Sequence, residues 1–111
     1  MDNKMPQISI SEKFNTVLLK PGLFGAETVT KLWAYIEGYK KALDDAGVSY
    51  DSSEFDRFCD WIVERHKSVG SGFNYAEIIL LSAFTDEHRA LEEMKKEWSR
   101  FKETSNSISA G

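Results

Sequence analysis

Helical spacing of apolar residues, interrupted by glycine and proline, is the feature that most constrains the fold. Between Thr28 and Gly47, apolar residues recur at i, i+3, i+4 and i+7, the pattern of a helix with one buried face. Thr28 is a suitable N-cap, and Gly47 is a suitable C-terminal stop because glycine readily adopts left-handed dihedrals. Gly38 inside this segment costs about 1 kcal/mol relative to alanine, which predicts a close helix crossing at that residue.

Two more helices are predicted further along the chain. The first begins at Ser52 or Ser53 and ends near Gly70. Asn74 and Glu77 then have the spacing of a capping box, in which each side chain bonds the backbone N–H of the other residue. The uninterrupted apolar run that follows this box predicts the most buried helix of the chain.

The C-terminal part predicts one long helix and a tail. Thr85-Asp86-Glu87 predicts the start of the last helix, because acidic residues favour the positive end of a helix dipole. An apolar stripe follows and ends at Phe101, with Glu97 among the charged residues placed outside it. Residues 104–111 are mostly Ser, Asn, Ala and Gly, which predicts a disordered tail.

The N-terminal part has the weakest pattern. Residues 1–10 predict a flexible lead-in, after which Ser11 is expected to cap a short helix. Pro21 ends that helix, since proline lacks the N–H that the next turn needs. Leu23 and Phe24, which lie between two glycines, are expected to turn inward as a plug.

These segments predict an all-α fold, a compact bundle of four main helices with a short N-terminal helical or irregular lead-in and no convincing strand. The single domain is expected to span residues 11–103. Apolar residues make up 41% of 111, enough for one core, and the lone Cys59 excludes an intramolecular disulfide. No segment reaches the roughly 20 apolar residues of a membrane span, so a cytoplasmic protein is predicted.

Negative charge is concentrated in residues 44–60. This stretch has a single base, Arg57, and a local charge of −5, whereas the whole chain carries −4. Its six acids are Asp44, Asp45, Asp51, Glu54, Asp56 and Asp60. Such a field attracts cationic partners and repels phosphate backbones, which argues against nucleic-acid binding. The simpler alternative is a solvated charged face without a partner.

Catalytic and metal chemistry have weaker support. Cys59 and His66 share a helix face but lie two turns apart, about 10 Å at 1.5 Å per residue, too far for a hydrogen bond. Asp86-Glu87-His88 lacks the ligand spacing of zinc or calcium sites, and helix capping already explains its acids. Asp56 and Asp60 are an i, i+4 carboxylate pair that only Arg57 could relieve. No cofactor or metal is predicted.

One further pattern combines a basic-Pro-Gly string with a helix that ends in Gly-Tyr-x-x-Ala. Its residues are Lys20-Pro21-Gly22-Leu23-Phe24-Gly25, Leu32, Tyr35-Ile36, Gly38-Tyr39, Ala42-Leu43, Phe55, Phe58, Trp61-Ile62 and Asn74-Tyr75-Ala76. In these residues the chain resembles a group of small bacterial helical proteins over residues 20–84, and it departs from their pattern in having Lys20 where arginine is usual and a shorter string before Gly25. Some proteins of this group look like immunity proteins of bacterial toxin systems, and the resemblance implies no catalytic residue.

The leading hypothesis is therefore a non-catalytic immunity-type protein that neutralises a cationic, nuclease-type toxin domain. The partner-binding residues predicted for it are Asp44, Asp45, Tyr50, Asp51, Glu54, Asp56 and Asp60, with Tyr50 as an exposed aromatic anchor. An alternative is a helical interaction module that forms a homodimer through surplus aromatic side chains. A third hypothesis, a small enzyme, would use His66 or His88.

Overall fold

The computed structural model describes residues 7–70 and 72–110, with side chains through Thr104. It confirms the all-α class, but the described part holds five α-helices and a small sheet. In chain order the elements are β1 (Ile8–Ser9), α1 (Ile10–Leu19), a 3-10 turn (Pro21–Phe24), α2 (Val29–Asp45), β2 (Tyr50–Asp51), α3 (Ser53–Arg65), a second 3-10 turn (Lys67–Val69), α4 (Tyr75–Ser82) and α5 (Glu87–Ala110). Among these residues no helix is long and apolar enough to cross a membrane.

The sheet corrects the predicted boundary of the lead-in. β1 and β2 pair in parallel, with Ile8 opposite Tyr50 and Ser9 opposite Asp51. Ile10 directly after β1 is fully buried. Residues 1–6 of the predicted lead-in lie outside the described residues, but the ordered fold already includes Ile8. A two-residue strand has no periodicity, so only its partner reveals it.

Helix α1 is a full member of the core, with Phe14 completely buried. Its cap is Ser9 and not Ser11, because the Ser9 Oγ accepts from the Glu12 N–H at 3.2 Å. Of Leu23 and Phe24, which were both predicted to turn inward, only Phe24 does so. Leu23 is 75% exposed, while Phe24 packs against the core edge.

Helix α2 begins and ends as predicted. The Thr28 Oγ1 accepts from the Lys31 N–H at 3.1 Å, which confirms the cap. Gly47 adopts a φ of 70°, and the Val48 N–H returns to the Leu43 carbonyl at 2.9 Å, as in a Schellman motif. The helix crossing predicted at Gly38 is wrong, since a Cβ built there would meet nothing within 4 Å.

Helices α3 and α4 meet through their aromatic and aliphatic faces. α3 ends at Arg65, earlier than predicted, and the 3-10 turn fills the distance to Gly70. The capping box that opens α4 is confirmed, with Asn74 and Glu77 each accepting from the other's N–H at 2.8–2.9 Å. α4 is not buried all round, because Leu81 is 40% exposed.

Helix α5 closes the core and runs past the predicted start of the tail. It continues to Ala110, since serine, asparagine and alanine do not stop a helix as proline or glycine does. Trp98 on this helix lies 5.0 Å from Phe14 and 4.9 Å from Phe58, measured between ring centroids. Its indole N–H donates to the Asn15 Oδ1 at 2.9 Å, which satisfies its polar atom.

Candidate functional site

The seven residues predicted to bind a partner, here named the acidic segment, lie on three consecutive elements. Asp44 and Asp45 form the last turn of α2, and Tyr50 and Asp51 form β2. The other three, Glu54, Asp56 and Asp60, lie on α3. The arrangement is compact because only the four residues 46–49, with Gly47 in the left-handed conformation, separate the end of α2 from β2.

Tyr50 links the two ends of the turn. Its ring is half-buried against the core, so it is less exposed than an isolated surface anchor would be. Hydrogen bonding of its hydroxyl to the Asp44 carboxylate raises the pKa of Tyr50. The role of Tyr50 as an aromatic anchor stays a prediction, since one edge of the ring faces the core.

Asp51 organises the start of α3. Its Oδ1 accepts from the Ser53 N–H at 2.9 Å and from the Ser53 Oγ at 2.7 Å. These hydrogen bonds hold the pKa of Asp51 below its usual range, so the carboxylate stays charged. Ser52 caps no backbone N–H with its side chain and instead donates from its Oγ to the Asp56 Oδ2 at 2.9 Å. Asp51 thus supplies the turn chemistry that the serines were expected to supply.

Glu54 connects three helices. The Lys102 Nζ on α5 lies 3.3 Å from both of its carboxylate oxygens, and Ser11 on α1 also bonds it. Partial burial opposes ionisation, but the Ser11 hydrogen bond and the Lys102 charge outweigh it and lower the pKa of Glu54. Glu54 therefore contributes to the packing of the helices as well as to the negative charge of the acidic segment.

The remaining charges are largely unneutralised. Asp45 pairs with Lys41 at 3.2 Å, but both groups are exposed and the pair is weak. Within the described part of the chain, four carboxylates of the acidic segment form no ion pair with lysine or arginine: Asp44, Asp51, Asp56 and Asp60. Arg57, expected to relieve the repulsion between Asp56 and Asp60, bridges to neither.

A polar cleft of about 650 Å³ borders the acidic segment. Asp51 and Glu54 form one side of it, together with Lys102 from α5. Its other lining residues come from β1 and α1: Ser9, Ser11, Glu12, Asn15 and Thr16. Three carboxylates against one ammonium group make the cleft acidic, so it extends the negative surface beyond the seven predicted residues.

The alternative chemical sites have structural explanations. The His66 Nε2 lies 2.7 Å from the Glu97 Oε1, and the Asp86 Oδ1 caps α5 by accepting from the Arg89 N–H at 3.0 Å. Burial raises the pKa of the Cys59 thiol to about 12, which leaves it a poor nucleophile. Throughout residues 7–70 and 72–104, no three His, Cys, Asp or Glu side chains are grouped so that they could hold a metal ion.

Sequence reasoning missed the role of Glu97, which was placed outside the apolar stripe of α5. Only 1% of its surface is exposed. Its carboxylate binds the Arg65 Nε at 3.0 Å, His66 at 2.7 Å and Arg100 at 3.3 Å. A signal was present, because Glu97 follows Met94 by three positions and so falls within the stripe.

Comparisons of the chain with models of protein families, with curated proteins and with solved structures found no match. What the protein does is therefore inferred from its own residues and their geometry.

Proposed function

We propose that this protein is a non-catalytic binding protein whose acidic segment binds a cationic protein, and that the partner is a toxin domain of the basic, nuclease type. The observation that carries the proposal is the group of carboxylates on α2, β2 and α3 that lack a lysine or arginine partner among the described residues. An uncompensated charge group of one sign is what an electrostatic docking surface requires.

The nature of the partner follows from the sign of this field. A nuclease must present cations to the phosphates of its substrate, so a protein that presents carboxylates can occupy the same surface. Complementary charge then speeds the encounter, while apolar and aromatic contacts supply most of the affinity. The half-buried Tyr50 is the aromatic side chain within the acidic segment that can make such a contact.

The test begins with a pull-down from the native lysate, and the quantity measured is the rate at which this protein associates with the basic nuclease domain that it captures. Asp44→Asn, Asp56→Asn and Asp60→Asn together remove three charges from the acidic segment without touching the Asp51 turn or the Glu54 bridge. We expect the association rate constant to fall about tenfold or more at low salt, with a weaker dependence on ionic strength.

A matched control removes three charges elsewhere, through Glu92→Gln, Glu93→Gln and Glu103→Gln on α5. Both triple variants lose three negative charges, so they have the same net charge. They differ only in the part of the surface from which the charges are removed. An association rate that falls equally in both triple variants, or in neither, would show that the acidic segment is not the docking surface.

A further inference from the structure

Phe84 occupies a position that favours glycine. α4 ends in a Schellman motif, in which the Thr85 N–H bonds the Leu80 carbonyl at 2.9 Å and the Phe84 N–H bonds the Leu81 carbonyl at 3.1 Å. This places Phe84 at the left-handed residue of the motif, with a φ of 56°. Thr85 follows with a φ of 63°, so two side-chain-bearing residues in succession adopt a conformation that they rarely adopt.

The end of α2 provides the comparison within the same chain. There the same hydrogen-bonding motif has Gly47 at the left-handed residue, with a φ of 70°. The ring of Phe84 is 81% exposed and adds almost nothing to the core. The Arg89 guanidinium lies over the ring, 5.9 Å from its centroid. An exposed ring at a strained position disfavours folding, which points to a role in binding.

A small apolar pocket lies beside this corner. It has a volume of about 270 Å³, below the roughly 300–1,000 Å³ of drug-sized sites, and so suits a single ring. Its lining residues are Thr30, Trp33, Asn74, Ala76, Glu77 and Leu80. Leu80 is also the residue whose carbonyl receives the Thr85 N–H. The Glu87 carboxylate binds the Thr30 Oγ1 at 2.7 Å, which ties the start of α5 to the pocket wall.

We propose that Phe84 of one copy of this chain enters the Trp33–Leu80 pocket of a second copy, forming a two-fold symmetric dimer. The pocket lies along α4 from its N-cap Asn74 to Leu80, and the ring follows the C-terminal end of the same helix. Two copies of α4 packed antiparallel about a two-fold axis can therefore each receive the ring that they also donate, as an isologous contact requires. Charge is complementary as well. Arg89 lies beside Phe84 and forms no ion pair with any described residue, while Glu77, whose Oε1 accepts from the Asn74 N–H, lines the pocket.

This surface is independent of the acidic segment. Of the surplus aromatic side chains predicted to form a homodimer, Trp33 lines the pocket, whereas Trp98 is buried in the core. The contact is small, so we expect a transient dimer with a dissociation constant of about 100 µM.

Sedimentation of the full chain over a range of concentrations tests the proposal. The wild type should dimerise, and Phe84→Gly should weaken the dimer at least about tenfold while raising the melting temperature by several degrees. Leu23→Ala, which shortens another highly exposed apolar side chain, is the control and should leave the dimer unchanged. If the wild type is still monomeric at about 1 mM, the proposal that a second copy binds Phe84 is wrong, and the partner of Phe84 is a different protein.

Charge exchange tests the symmetry. Arg89→Glu alone places two carboxylates at each of the two contacts, and Glu77→Lys alone places two cations there. Because Glu77→Lys also removes the capping box of α4, circular dichroism must first show that this variant is folded. In an equimolar mixture of the two variants, each contact of the mixed dimer has one charge of each sign, so dimerisation should return. A mixture that stays monomeric, or a Phe84→Gly variant that dimerises like the wild type, would refute this arrangement. Neither experiment involves a toxin, so its failure leaves the proposed function unaffected.

Discussion

The buried Glu97 carboxylate permits the sharpest stability prediction, through the substitution Glu97→Gln. Glutamine keeps the size of the side chain, so no cavity forms and the change isolates the charge. The wild-type carboxylate receives hydrogen bonds from α3, where Arg65 lies 32 residues earlier, and from Arg100 one turn along α5. Losing the charge weakens all of these contacts together, and with them the junction between the end of α3 and α5.

The magnitude follows from the exposure of the partners. Breaking a fully buried ion pair costs about 3–5 kcal/mol, because an unpaired charge is left without water. Arg65 and Arg100 are 42% and 51% exposed, so water can solvate them once Glu97 is neutral. We therefore expect a loss of about 2–3 kcal/mol in the free energy of unfolding at pH 7, and a melting temperature lower by about 10 °C.

The difference between wild type and variant should depend on pH. Burial by itself would raise the pKa of Glu97, but hydrogen bonds from His66 and Arg65 and the charge of Arg65 outweigh it and lower that pKa. A group whose pKa is lowered by folding stabilises the protein above its unfolded pKa, about 4.3 for glutamate, and ceases to do so as pH falls through the folded value. The difference in the free energy of unfolding between wild type and Glu97→Gln should therefore be at its maximum above about pH 5 and should decrease below about pH 4.

Urea and thermal unfolding followed by circular dichroism at pH 7 and pH 3.5 measure both effects. Glu92→Gln on the same helix is the matched control, since Glu92 is 66% exposed and pairs with Lys95 at 3.4 Å. The control should lose less than about 0.5 kcal/mol. Equal losses in the two variants, or a loss in Glu97→Gln that does not change with pH, would refute the assignment of Glu97 as a buried anionic link.

Two further predictions follow from the backbone and from burial. Gly38→Ala should raise the free energy of unfolding in urea by about 1 kcal/mol, because nothing lies near a Cβ at that residue and its φ is not positive. Gly47→Ala should lower the free energy of unfolding, since the φ of Gly47 is positive. A Gly38→Ala variant that is less stable than the wild type would contradict the open environment of Gly38. Burial raises the pKa of the Cys59 thiol to about 12, so very little thiolate forms at pH 8 in the native protein. Its reaction with iodoacetamide at pH 8, followed by mass spectrometry, should be at least about a hundredfold slower in the native protein than in urea. Similar rates in the two conditions would show that the thiol is accessible and acidic.

Much of the local structure was predictable because its causes lie within a few residues along the chain. The Thr28 cap, the Asn74–Glu77 capping box and the Gly47 stop all depend on hydrogen bonds between residues at most five positions apart. Errors arose where a residue's neighbours are distant in the sequence. Gly38 was expected at a helix crossing, and no neighbouring helix approaches it within 4 Å.

The candidate site was predictable in composition but not in pairing. The six acids of residues 44–60 are evident from the sequence, since charge density requires no knowledge of the fold. That Glu54 is bound by Lys102 from α5, while Asp60 has no such partner in the described part of the chain, depends on which helices meet. The polar cleft has the same origin, because its walls come from β1, α1, β2, α3 and α5.

The sequence by itself determined the helical class, both ends of α2, the start of α4 and the concentration of negative charge, because periodicity, caps and net charge are local properties. Tertiary structure alone decided that Ile8 pairs with Tyr50, that Glu97 is buried against Arg65 and that Phe84 faces solvent. The physical reason is that burial and long-range hydrogen bonding depend on which surfaces pack together, and that choice is made by the whole core at once.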